Sequence, residues 1–290
     1  MGAETNAFEP RGVPAPTMLA NARVELHWSA QIVAAVGRAL IAAAPDDSHT
    51  SLEWLEAERS FLGGATPRGL RLGLRPADLT LVVHDSQDRN GAPRRELPLA
   101  GRTLDEARGW AAEAFGALAT VVPPYVMPPH PVARGGTFTG DDREALAELE
   151  RWYASANRLL CEVRRTPSHA PVQAAPVRCW PHHFDIATLL ELSPGASGET
   201  RTIGVGLSPG DASYAEPYFY VTPWPYPQRR DGSDLPRLPA GALWHQTGWF
   251  GAVLTATAIF AEASGSPSTR TGAVSQFLDV AAGAAATLLG

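Results

Sequence analysis

Residues 201–223 read RTIGVGLSPGDASYAEPYFYVTP, and the fold class turns on them. The runs 201–207 and 217–223 are strand-like, rich in β-branched and aromatic residues. Ser208-Pro209-Gly210-Asp211 between them has turn chemistry: proline presets φ, glycine permits positive φ, and aspartate accepts from nearby amides. Two patterns in the stretch would otherwise announce a parallel α/β fold. Gly206-Leu207-Ser208-Pro209-Gly210 fits the nucleophile elbow G-x-S-x-G, and Gly204-x-Gly206 opens a dinucleotide fingerprint. Both need a helix next, but residues 211–217 lead into a second strand. Pro209 also lacks the N–H that an oxyanion hole takes from the residue after the serine. Strand, turn and strand predict antiparallel pairing.

Working outward, strands are expected near 49–55, 69–74, 79–84, 95–99, 175–191, 242–246 and 250–255. Trp28, Ile32, Val36 and Leu40, at steps of four, mark a helix over 22–43. Thr103 with Glu106 forms a capping box that opens another helix. A third begins at Asp141 and carries Leu146, Leu149, Tyr153, Ala156, Leu160 and Val163 as an amphipathic stripe. A closing helix starts near Ser268, with Val274, Phe277, Leu278, Ala281 and Leu288. The class is α+β, with helices covering antiparallel sheets. The boundaries read as a flexible arm 1–20, an N-terminal half 21–120, a Pro-rich linker 121–139 and a C-terminal half 140–290.

Both halves run helix, strands, helix. Gly73-Leu74-Arg75-Pro76-Ala77-Asp78 echoes Gly206-Leu207-Ser208-Pro209-Gly210-Asp211, and the same spacing sets His49 on His182. The pattern fits two tandem repeats packed as one unit. It fits equally well the chance reuse of residues common at strand corners.

The chain has 290 residues, 44% hydrophobic and 19% charged, enough for a sizeable core. All 24 basic residues are arginine, which excludes Schiff-base lysines, a pyridoxal-phosphate anchor and a P-loop lysine. A net charge of −6 with scattered arginine argues against a nucleic-acid binder. No apolar run approaches the ~20 residues of a membrane span, and no signal pattern is visible. No membrane partner and a cytoplasmic location are expected. Cys161 and Cys179 read as reduced thiols.

The chemistry concentrates in Trp180-Pro181-His182-His183-Phe184-Asp185 and in Trp244-His245-Gln246-Thr247-Gly248-Trp249. Four of eight Trp lie between 180 and 249, and four of six Tyr between 214 and 226, so titratable groups coincide with apolar walls. On a strand, His183 and Asp185 would share a face. With His245 they would make a two-His-one-carboxylate set for a divalent metal, Zn or Fe. Three readings stay open: metal ligands, metal-free proton transfer, and structural hydrogen bonding. His182 and Glu216 are second choices. Tyr218, Tyr220, Trp224, Trp244 and Trp249 would form the walls, with Tyr218 and Tyr220 opposite Phe219 and Val221. Thr222–Pro239 is a candidate lid. His27 and Gln31, four apart, share one helix face.

WPHHFD, SPGD, EPYFYVTPWPYP and LPxGxxWHxxGWxGAVL together resemble an uncharacterised bacterial family, a domain of unknown function. The resemblance covers most of residues 20–260. It implies the boundaries and the site's location, but no activity. The leading expectation is an enzyme acting on a small molecule. The alternatives are a non-catalytic small-molecule binding module with an aromatic pocket, and a scaffold or homodimerising protein.

Overall fold

The computed structural model describes residues 8–12, 16–87, 93–116, 125–165, 172–195, 198–227, 234–262 and 266–290. Among them, five α-helices and two antiparallel sheets make an α+β protein. The chain divides into two units, neither continuous in sequence. One comprises Pro14–Ala154 with Arg178–Asp185, the other Met1–Val13, Ser155–Val177 and Ile186–Gly290. We call them the α1 unit and the α5 unit.

In the α1 unit, α1 (Pro16–Leu40) precedes a sheet of β1 (Glu53–Leu55), β2 (Ser60–Leu62), β3 (Leu70–Arg75), β4 (Thr80–Asp85) and β5 (Arg95–Pro98), in that spatial order. α2 (Leu104–Phe115) starts at the expected capping box: Glu106 N donates to Thr103 Oγ1 at 3.2 Å, and Thr103 N to Glu106 Oε2 at 2.8 Å. Short β2 had no sequence signal.

The Pro-rich stretch is not a linker where it is described, from Tyr125 on; 121–124 lie outside the described residues. Phe138 is buried and bridges Ala100, Thr137 pairs with Thr103, and Trp28 Nε1 donates to Pro128 O at 3.0 Å. Prolines keep their carbonyls, so neighbouring donors can anchor such a segment. The arm reading changes similarly. α1 begins at Pro16, Phe8 is buried, and Glu9 takes up Arg158 at 2.7 Å in the α5 unit.

α3 (Arg143–Arg165) carries the unit boundary between Ala154 and Ser155. Beyond it come β6 (Gln173–Ala174), β7 (Arg178–Trp180), β8 (Asp185–Glu191), β9 (Thr202–Ser208), β10 (Tyr218–Trp224), β11 (Leu243–His245) and β12 (Gly251–Thr255). β7 belongs to the α1 unit, where Cys179 and Leu52 exchange backbone hydrogen bonds of 2.8 and 2.9 Å. The α5-unit sheet runs β11-β12-β10-β9-β8-β6.

The hairpin of residues 201–223 is present as β9–β10, with Phe219 opposite Leu207 and Val221 opposite Val205. Ser208 Oγ is used inside its turn, accepting from Gly210 N at 3.2 Å, as a turn serine rather than a nucleophile. Paired residues share a face. Ile186, Leu190, Ile203, Val205, Leu207, Phe219, Val221, Ala252 and Leu254 therefore share one buried, mostly apolar face, on which Thr188 opposite Val205 is a buried polar member.

That face packs on α5 (Pro267–Leu289), which buries Val274, Phe277, Leu278, Ala281 and Ala285 at helical spacing. α5 is long and apolar enough to cross a membrane by length and composition alone, a test that the core helix of a soluble protein also passes. Scattered Ser, Thr and Gly interrupt the run without removing its mean hydropathy. α4 (Ala256–Glu262) follows β12 directly, and Glu216 accepts from Thr257 N and Oγ1, both at 2.7 Å, at its start. The expected site carboxylate is thus a helix cap.

Candidate functional site

β7 ends at Trp180 and β8 begins at Asp185, so residues 181–184 form a turn, not a strand. His183 N and Phe184 N both bond back to Trp180 O, at 3.3 and 2.7 Å. Phe184 sits at φ 56°, the left-handed region. Strand alternation therefore does not put His183 and Asp185 on one face. Pro181, which cannot donate to a ladder, starts the interruption. Asp185 is buried while His182 and His183 are exposed.

The turn is held from behind by α1. Arg23, His27, Gln31 and Arg38 recur at intervals of four, four and seven, a single stripe on the helix. His27 Nε2 donates to Pro181 O at 2.8 Å, and Gln31 Nε2 donates to the same oxygen at 2.7 Å. Both side chains are buried. Tyr125 Oη donates to Gln31 Oε1 and so orients the amide. Below the turn, the Phe184 ring stacks on His27 with centroids 5.6 Å apart, and Tyr153 Oη donates to Phe184 O at 2.6 Å.

Burial holds His27 neutral, its pKa pushed down to about 4 against the Pro181 hydrogen bond, with His183, Arg23 and His182 adding repulsion. The folded pKa lies below the unfolded one, so the folded state binds fewer protons. Its stabilising contribution is complete above about pH 6.5 and is lost as pH falls towards 4. Across that window stability should fall by about 3 kcal/mol. Urea unfolding between pH 7 and 4 measures it, and His27→Gln should flatten the dependence. An equally steep curve in that variant would remove His27 as the cause.

On the solvent side the His182 and His183 rings lie 4.6 Å apart. Trp180 and Tyr125 meet His182 edge-on at 6.1 and 6.0 Å. Although part of His182 is in solvent, the rings around it withdraw water and lower its pKa. The Asp185 carboxylate opposes this, and His183 and Asp47 act on it more weakly. Burial raises Cys179 and Tyr153, with the Asp185 charge adding to both, so the Cys179 thiol is unreactive. The arrangement offers an exposed imidazole pair on a hydrogen-bonded turn, with aromatic rings beside it.

The remaining expected residues lie in the α5 unit. His245 has both nitrogens engaged: Nε2 donates to Thr247 O at 2.7 Å, and Nδ1 accepts from Tyr214 Oη at 3.0 Å. Its ring stacks on Trp249 at 4.3 Å. Both ring nitrogens are therefore hydrogen-bonded within the α5 unit. Among the described residues, no group of three or more His, Cys, Asp or Glu could hold a metal ion. Tyr218 Oη donates to Asp211 Oδ2 at 2.6 Å and Trp244 Nε1 to Pro236 O at 2.9 Å, both structural uses.

Tyr218 and Tyr220 do lie opposite Phe219 and Val221. Tyr220 and Trp249 lie over Gly206 and Gly251, where a Cβ would come within 2.6 and 2.8 Å of their rings. Trp224 and Tyr226 are 56% and 46% exposed and pack edge-on. Of the expected lid, 228–233 lie outside the described residues.

No family model, curated protein or solved structure matches this chain. Sequence reasoning had noticed His27 and Gln31 but gave them no task. It quoted Trp180 at the head of the WPHHFD run without giving it a role, and it missed Tyr125.

Proposed function

We propose that the protein is an enzyme acting on a small molecule by metal-free proton transfer at His182 and His183. The adjacent exposed imidazoles on a turn fixed by His27 and Gln31 carry this reading. A base works best when its proton affinity is near ambient pH and its position is fixed. Burial lowers the His182 pKa and keeps the ring available as a base at neutral pH. In this reading Trp180 and Tyr125 wall the substrate, and Asp185 steadies the imidazolium that forms on His182. A cytoplasmic setting belongs to the same proposal.

Incubation with a small-molecule metabolite extract, followed by mass spectrometry, tests it. The wild-type protein should deplete a substrate at a rate that falls at least about 100-fold in His182→Ala or His183→Ala. Equal depletion by the double variant, or none by the wild type, would overturn the enzyme reading. The exposed Trp224–Tyr226 pair and the glycine-floored face under Tyr220 and Trp249 would then favour a non-catalytic binding module.

A further inference from the structure

We draw no further inference here: the strongest candidate, the face of the α5-unit sheet turned away from α5, where exposed Leu189, Trp224 and Leu243 stand around Gly204 and Gly206, is an unpartnered surface, and nothing in the structure shows what covers it.

Discussion

Gly37→Ala should lower stability by about 3 kcal/mol or more, although alanine is the better helix former by about 1 kcal/mol. The added Cβ would stand 2.2 Å from the His49 carbonyl oxygen and 3.3 Å from Thr50 Cα. These are backbone atoms of the short helical turn Ser48–Thr50, which packs on α1. No flexible side chain can swing away, so helix and turn must separate. Gly109→Ala is the control. It lies in α2, exposed, with nothing within 4 Å of its Cβ position, and the same change there should stabilise by about 0.5–1 kcal/mol. Urea denaturation of both variants reads the contrast. Equal stability of Gly37→Ala and wild type would mean that α1 does not approach the turn this closely.

The second large effect is at Phe184. Its ring is fully buried against His27, Phe61 and Tyr153, with centroids 5.6, 6.0 and 5.2 Å away. Phe184→Ala should cost about 3–5 kcal/mol by cavity formation. The backbone adds a finer expectation. At φ 56° an L-residue carries strain of about 1–2 kcal/mol that glycine does not. Phe184→Gly should therefore be no less stable than Phe184→Ala, and more stable by up to about 1 kcal/mol, the reverse of the usual order. Denaturant unfolding of the pair checks this; alanine outperforming glycine would remove the left-handed turn. Both variants should also broaden the His182 and His183 resonances, because the turn presenting them loses its base.

Much of the fold was legible because it rests on local rules. The Thr103–Glu106 box, the Ser208–Asp211 turn and the α5 stripe each draw their signal from residues a few positions apart. Tyr218 and Tyr220 opposite Phe219 and Val221 follow from strand alternation, and the burial of Phe219 and Val221 selects the core face. Reading failed where a local rule was applied across a break. Treating 175–191 as one strand put His183 and Asp185 together, but Pro181 and the left-handed Phe184 turn the chain between them. Composition failed at 125–139, where prolines suggested a linker and donors from distant residues hold the segment in place.

The site itself was only half legible. WPHHFD drew attention as a dense run of titratable side chains, and two of them, His182 and His183, are exposed together on its turn. Its meaning depended on partners far away in the chain. Pro181 O receives hydrogen bonds from His27 and Gln31, separated from it by 154 and 150 residues. His245, read as a third ligand, has its two ring nitrogens hydrogen-bonded to Tyr214 Oη and Thr247 O. The sequence by itself determined the antiparallel α+β class, the Thr103–Glu106 capping box and which side chains of β10 share a face, because periodicity and turn chemistry act over a few residues. Only the tertiary structure decided which imidazoles are available. Availability depends on which donors and acceptors the fold brings to each ring nitrogen, and no spacing along the chain encodes that.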